Sequence, residues 1–185
     1  MQMTRSNKHS FTLIEMLVVM VIIVILAGLL LPVVQVAKTS ADQARAKENI
    51  HQLAAAFRSY FSEFGRWPSN TFAAATLSGA PAGSTDSYIP TNFFANPSSI
   101  TFYDVSAKDI VQVVSGTTTN AYIVDPWKNP YRVRLDTGYT GSVLDPFNNS
   151  TNLLWGFAIW SMGPDGTNDL LGDMSLVNKD NPKSW

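Results

Sequence analysis

The hydrophobic pattern of the chain changes most sharply near residue 34. Residues 11–34 are apolar around the whole circumference of a helix, and Glu15 is their only charged residue. A helix rises about 1.5 Å per residue, so this segment covers roughly 36 Å, and a bilayer core needs about 20 residues. The pattern therefore predicts a transmembrane helix with one carboxylate near its start.

Residues 35–64 continue the helix, but with apolar residues on one face only. Neither glycine nor proline interrupts them, and the apolar positions recur at three- and four-residue spacing, at Ile50, Leu53, Ala54, Phe57, Tyr60, Phe61 and Phe64. Gly65 then provides a C-terminal stop. We expect one helix of about 50 residues, which starts near Phe11 and ends near Phe64.

The weakest turn of this helix is predicted at Gly28–Pro32. Proline removes one backbone hydrogen bond and clashes with the preceding turn, and Gly28, four residues earlier, is a poor helix former. A kink or local melting is therefore expected there.

The remainder of the chain predicts loops followed by an antiparallel sheet. Residues 65–120 are rich in small and polar residues and indicate a variable loop region, with a short element at Ala107–Val114. Within 121–185 an acidic loop begins at Gly163, and three segments favour strands: Ala121–Val124, Tyr131–Leu135, which alternates like a half-buried strand, and Leu153–Ser161, which reads as core. The predicted class is α+β, with a long N-terminal helix, membrane-embedded in its first half, packed on a small antiparallel sheet.

Composition argues against several classes of protein. The net charge of −1 provides no basic excess to neutralise the phosphates of a nucleic acid. The chain has no cysteine, so it uses neither disulfides nor thiolate chemistry. His51 stands alone on the helix, and no Ser-His-Asp order, phosphate loop or HExxH motif is present. We therefore expect neither an enzyme nor a nucleic-acid-binding protein.

Glu15 is the residue that calls for an explanation. A carboxylate in a membrane-length segment is costly and by default marks a functional site with a named partner. One interpretation is that Glu15 reaches the membrane interface, since it lies near one end of the segment. The other is that it pairs with a cation. Residues 1–10 form a short basic leader with Arg5, Lys8 and His9.

The segment Lys8-His9-Ser10-Phe11-Thr12-Leu13-Ile14-Glu15 resembles the prepilin cleavage and methylation motif of type IV pilins and type II secretion pseudopilins. The resemblance implies that prepilin peptidase cuts between Ser10 and Phe11, that Phe11 is N-methylated, and that Glu15 is required for assembly. Ser10 stands where the family almost always has glycine. Pro32 falls where the family places its helix-breaking proline, which implies local melting of Gly28–Pro32 in a packed filament.

Three downstream segments resemble the major pseudopilin in particular. Tyr60–Pro68 resembles its helix end, Asp125–Tyr131 its DPWGNPY turn, and Ser161–Gly166 its calcium-loop entry, SLGADG. Carboxylates are good ligands for Ca²⁺, but the acids here do not have EF-hand spacing, and a solvated loop is the alternative. The resemblance implies a calcium site formed by Asp165, Asp169 and Asp173, with single acids where the family has an acidic pair. Without calcium, the loop is held by packing of Trp185 or is not held at all.

The resemblance implies a structural subunit of a type II secretion pseudopilus, which drives protein export. Its partners would be further copies in a helical filament, other pseudopilins and the inner-membrane assembly platform. It would cross the bacterial inner membrane once, with its C-terminal domain in the periplasm. A type IV pilus subunit is the alternative, although many pilins have a cysteine pair that this chain lacks. An alternative from another class is a membrane-anchored periplasmic enzyme or binding module, which would keep Met1 or be cut after residue 27 or 28.

Overall fold

A computed structural model describes residues 12–68, 86–94, 98–115, 118–148, 150–167 and 181–185. The chain divides into two compact units, Met1–Ala41 and Asp42–Trp185. One helix, α1 (Leu13–Phe64), runs through the described part of the first unit and opens the second. Small antiparallel sheets follow it. The predicted α+β class, with a long apolar N-terminal helix, is confirmed.

The first part of α1 is exposed along its whole apolar length. Its most apolar stretch has a mean hydropathy of 3.3 with no buried residue, and it is long and apolar enough to cross a membrane. The helix continues through Gly28 and Pro32, so this turn is helical in the single chain. Its melting in a filament stays a prediction. At the other end Gly65 adopts a positive φ of 64°, which L-residues avoid, and so ends the helix as expected.

The described strands form three antiparallel groups. The central sheet has the order β1-β4-β7, from β1 (Ser87–Tyr88), β4 (Arg132–Leu135) and β7 (Phe157–Trp160). The second group pairs β2 (Ile110–Ser115), which follows a 3₁₀ turn at Ala107–Asp109, with β3 (Thr118–Ile123). The third group pairs β5 (Val143–Leu144) with β6 (Asn152–Leu153), and both strands lie between β4 and β7 in sequence. Backbone hydrogen bonds of Ile89 with Tyr131 and Ile123 join the central sheet to β3.

The core of the second unit lies between the apolar stripe of α1 and the central sheet. Ile50, Leu53 and Phe57 have no exposed surface. The Phe57 ring lies 4.6 Å from that of Phe93 and 5.5 Å from that of Phe157, measured between centroids. Aromatic pairs at this distance add to the apolar area that they bury. The stripe predicted from three- and four-residue spacing is therefore the buried face of the helix, with Phe61 and Phe64 half-buried at its end.

Two predicted segments differ from the structure. Region 65–120, expected to be mainly loop, contributes β1 and β2 to sheets, and the short element expected at Ala107–Val114 is the 3₁₀ turn with most of β2. The single strand expected at Leu153–Ser161 is two strands separated by a bend, in which Leu154 is 85% exposed. The bend brings Gly156 against the Trp67 ring, where a Cβ would lie only 2.5 Å from Cζ2. Only glycine fits this contact.

The prediction that β4 is half-buried was wrong, because its arginines are buried as well as its apolar residues. Arg132 and Arg134 are each only 5% exposed. Arg134 Nε donates to Asp86 Oδ1 at 2.6 Å, and its Nη1 donates to the carbonyl of Leu144 at 3.0 Å. The Arg132 guanidinium lies 5.7 Å from the centre of the Tyr88 ring. Arg134 has the partners that a buried arginine requires, whereas Nε and Nη1 of Arg132 are buried without a hydrogen-bond acceptor among the described residues. A pattern of alternating residues reveals neither arrangement.

Candidate functional site

Glu15 lies in the first turn of α1, where its carboxylate closes a capping box with Thr12. The amide and the hydroxyl of Thr12 each donate to Glu15 Oε2 at 2.7 Å, and the amide of Glu15 donates to Thr12 Oγ1 at 3.3 Å. A threonine followed three residues later by glutamate is the sequence signature of this arrangement. Thr12 is thus a candidate site residue that was not expected from the resemblance, although its Thr-x-x-Glu spacing is visible in the sequence.

The capping box leaves one oxygen of the carboxylate available. Both Thr12 donors converge on Oε2, and no described residue donates to Oε1. The start of a helix also favours a negative charge, because its amide N–H groups are unpaired there. Glu15 is exposed, as are its apolar neighbours Leu13 and Ile14. The arrangement can accept a cation on Oε1 without breaking the hydrogen bonds to Thr12.

Of the other four N-terminal site residues, two lie outside the described part of the chain and two lie within α1. Ser10 and Phe11 lie outside the described residues, so cleavage and methylation there stay predictions. Gly28 and Pro32 lie in the exposed apolar part of α1. A Cβ added to Gly28 would meet no atom within 4 Å in the single chain. The glycine is therefore not required by packing within the subunit.

A second polar site lies in the second unit, around the turn that follows β3. Asp125 is fully buried, and its Oδ1 accepts the amides of Trp127 at 2.9 Å and Asn129 at 2.8 Å. Its Oδ2 accepts the hydroxyl of Ser161 at 2.6 Å. Burial raises the pKa of the Asp125 carboxyl above its ordinary value, and the hydrogen bonds from Ser161 and the two amides oppose that rise.

Asp125 thereby joins its own turn to the start of the acidic loop. The hydroxyl of Ser161 also accepts the amide of Gly163 at 2.9 Å, and Asn129 Nδ2 donates to the carbonyl of Gly163 at 2.8 Å. Gly163 and Gly166 both have φ of 66°, a conformation that favours glycine. The proline-framed turn and the glycine turn therefore form one interlocked unit, here called the Asp125 lock.

Lys128 adds an unusual backbone conformation to the lock. Its φ is 75°, which is uncommon for a residue with a side chain. Its Nζ donates to the carbonyl of Lys108 at 2.6 Å. In the DPWGNPY turn that this segment resembles, a glycine stands at the corresponding position, and a positive φ is a conformation that favours glycine.

The lock carries Asp165 at its exposed end. Thr167 donates its amide to Asp165 Oδ1 at 3.0 Å and its hydroxyl to Oδ2 at 2.8 Å. A carboxylate has four lone pairs, so the Asp165 oxygens can still bind a cation. Asp169 and Asp173 lie outside the described residues, and the described part of the chain holds no group of three metal-binding side chains. The three predicted calcium ligands are therefore not placed together by the structure.

Comparison with known proteins identifies the N-terminal segment. Residues 5–31 match a family model described as the prokaryotic N-terminal methylation motif. This motif is the prepilin signal of type IV pilin-like proteins, which are structural subunits processed by prepilin peptidase. The match includes Ser10, Phe11, Glu15 and Gly28, and it stops before Pro32. The comparisons with curated proteins and with solved structures returned no match.

Proposed function

We propose that this chain is a structural subunit of a pseudopilus of the type II secretion kind. The observation that carries the proposal is the start of α1, where a capped carboxylate precedes a long, exposed apolar surface within the methylation motif. The apolar residues of this surface have no contact in the single chain that buries them. Lipid in the membrane, and other copies in a filament, are the surroundings that would cover it.

In this proposal Glu15 pairs with the N-terminal amine of a neighbouring subunit. Cleavage before Phe11 creates that amine, which carries a positive charge. An unpaired acid at the centre of a membrane span costs about 2.5–3.5 kcal/mol on insertion scales. Glu15 lies near one end of its span, so this value is an upper bound on the cost that pairing offsets. The amine binds Oε1, while Oε2 keeps its hydrogen bonds to Thr12. Because only one axial stagger brings the two groups together, the pair also sets the register of the filament.

The remaining steps follow from this assignment. Prepilin peptidase removes residues 1–10. Before assembly, the mature subunit resides in the inner membrane, with the apolar part of α1 as its single transmembrane segment. The second unit lies in the periplasm. The inner-membrane assembly platform and other pseudopilins then add the subunit to a filament whose growth drives protein export. The chain acts mechanically and is not an enzyme.

The Asp125 lock supports the pseudopilin assignment over a pilus subunit. Its two turns are the segments that resemble the major pseudopilin, and the hydrogen bonds of Asp125 and Asn129 join them in the fold. The lack of cysteine points the same way. A type IV pilus subunit is the second candidate, because the methylation motif is common to both kinds of protein.

We also propose that Asp165, Asp169 and Asp173 bind Ca²⁺. The described part of this site supports the proposal through Asp165, an exposed carboxylate on a turn that the lock holds in place. Carboxylate and carbonyl oxygens are the ligands that Ca²⁺ prefers, and adjacent glycines allow the backbone to present its carbonyls.

Mass spectrometry of the mature N-terminus tests the proposed function. The chain purified from its host membranes should begin at Phe11 and carry a methyl group on that amine. Ser10→Gly should be processed at least as fast as the wild type, and Ser10→Leu slowly or not at all, because the protease site accepts a small residue. An intact Met1, or cleavage after residue 27 or 28, would instead support a membrane-anchored enzyme or binding module.

A further inference from the structure

The central sheet has one edge closed by the last five residues of the chain. Strand β7 pairs with β4 on one side. On its other side the amide of Ser184 donates to the carbonyl of Ile159, and the amide of Ser161 donates to the carbonyl of Pro182, both at 3.0 Å. The amide of Ile159 donates to Ser184 Oγ, also at 3.0 Å. Asn181–Trp185, here called the C-terminal strap, therefore takes the place of a further antiparallel strand.

Side chains hold the strap against the sheet. The Trp185 ring lies 5.4 Å from that of Phe147 and 6.5 Å from that of Trp160, measured between centroids. The ammonium group of Lys183 lies 5.5 Å from the centre of the Phe147 ring and 5.4 Å from that of Trp185, within cation–π distance. Asn181 Nδ2 also donates to the carbonyl of Thr167 at 3.1 Å. Trp185 is thus the main apolar anchor of the strap.

Without the strap, the free edge of β7 would be prone to pair with another chain. Without the strap, Ile159 would have an unpaired N–H and C=O, and Ser161 an unpaired N–H. An edge strand with such groups is a template for pairing with another chain. The residues of β7, Phe157-Ala158-Ile159-Trp160, are apolar and uncharged, which is the composition that favours strand association. On the opposite side the edge strand β1 has only two residues and is followed closely by Pro90, so that edge is guarded differently.

We propose that the C-terminal strap is a built-in edge strand that prevents β7 from pairing with β7 of a second copy, and that Trp185 keeps it closed. An antiparallel edge-to-edge contact is symmetric and ends at a dimer, whereas a filament requires contacts that repeat in one direction. A subunit that polymerises therefore gains from a closed edge. This benefit rests on the proposed function, whereas the closure of the β7 edge by the strap rests only on the hydrogen bonds and ring contacts of the second unit.

The test uses the full chain in detergent micelles. Three variants are compared with the wild type: deletion of residues 181–185, Trp185→Ala, and Trp155→Ala as a matched control. Trp155 is more exposed than the half-buried Trp185, at 47%, and its ring lies against Arg58. Sedimentation should show wild type and Trp155→Ala as monomers, and the deletion variant as a dimer whose fraction grows with protein concentration. A synthetic peptide of residues 181–185, added in excess, should return the deletion variant to monomer.

Hydrogen exchange provides the second measurement, which remains informative if the deletion variant does not fold. In Trp185→Ala the amides of Ile159 and Ser161 should exchange at least about tenfold faster than in the wild type, which corresponds to about 1.4 kcal/mol of local opening. Amides that pair β4 with β7 should be unchanged. A folded deletion variant that stays monomeric at every concentration, or unchanged exchange of both amides in Trp185→Ala, would overturn the proposal.

Discussion

The two units of this protein treat their polar and apolar groups in opposite ways. In the described part of the first unit the apolar residues are exposed, and the single carboxylate, Glu15, accepts hydrogen bonds from described residues on only one of its oxygens. In the second unit Phe57 and its neighbours are buried, and the buried carboxylate of Asp125 has hydrogen-bond donors on both oxygens. Each buried acid requires such partners.

The contrast shows which part of the molecule is complete by itself. Among its described residues, the second unit buries an apolar core and provides partners for the buried charges of Asp125 and Arg134, as a stable domain does. The described part of the first unit buries no apolar residue, so we expect other molecules to cover its apolar surface. We expect substitutions in the first unit to change assembly with little effect on folding, and substitutions in the second unit to change stability.

The largest effect is expected at Glu15. Glu15→Leu should still insert into the membrane, and more readily than the wild type, because the costly carboxylate is gone. It should form no filaments, since the neighbour's amine has no partner. Glu15→Asp, one methylene shorter, should be impaired to a lesser degree. Electron microscopy of filaments, with membrane fractionation as the control, checks both variants. Normal filaments from Glu15→Leu would show that the carboxylate is merely tolerated.

In the second unit, Asp125→Ala should destabilise the fold by about 3–5 kcal/mol, because the buried hydroxyl of Ser161 and the part-buried amides of Trp127 and Asn129 lose their acceptor. Asp125→Asn is the matched control. It keeps an acceptor for the two amides and should cost no more than about 1.5 kcal/mol. Chemical denaturation measures both. Equal losses for the two variants would mean that these hydrogen bonds do not hold the lock.

The difference in stability between the wild type and Asp125→Asn should depend on pH, with a sign that follows from the pKa of Asp125. Burial raises the pKa of Asp125 in the folded chain above its unfolded value of about 3.9. This residue therefore favours the folded state most at low pH, and that contribution is lost as the pH rises from about 4 through the raised pKa. Asp125→Asn cannot titrate there, so the stability gap between the wild type and the variant should change across that window and be constant above it.

Calcium should stabilise the second unit by a smaller amount. Binding only to the folded form adds about 2.7 kcal/mol at a hundredfold excess over Kd. The chain should therefore melt at a higher temperature in millimolar calcium than in chelator, and Asp165→Ala should remove most of that difference. Identical melting with calcium and with chelator would argue against the site, and Trp185 would then be what holds this part of the chain.

The smallest effect is expected at Thr12. Thr12→Val keeps the shape of the side chain but loses the hydroxyl that donates to Glu15, and loss of an N-cap costs about 0.5–2 kcal/mol. Filament yield should fall without being abolished, and membrane insertion should be unchanged. Thr12→Ser restores the hydroxyl and should restore the yield. If Thr12→Val assembles like the wild type while Glu15→Leu does not, the amine alone positions Glu15.

The sequence predicted the parts of the fold that depend on local periodicity. The stripe from Ile50 to Tyr60 and the stop at Gly65 define the helix because apolar spacing and a positive φ are local properties. The capping box is equally local, because the Thr-x-x-Glu spacing of Thr12 and Glu15 is sufficient to predict it.

The features that the sequence did not predict depend on distant partners. Arg134 is buried because Asp86, forty-eight residues away, pairs with it. The bend before β7 follows from contact of Gly156 with Trp67. The strap has no alternation of apolar and polar residues, and it resembles a strand only through its hydrogen bonds with Ile159 and Ser161. Such contacts require the fold to be known.

A high-resolution map of the assembled filament tests the central claim most directly. We predict that a Glu15 oxygen lies within hydrogen-bond distance of the N-terminal nitrogen of Phe11 in a neighbouring subunit, while the other oxygen keeps its bond to Thr12. It also predicts local melting of Gly28–Pro32, a turn that is helical in the single chain. A map in which Glu15 contacts only Thr12 of its own chain, beside an unbroken helix through Pro32, would contradict the account.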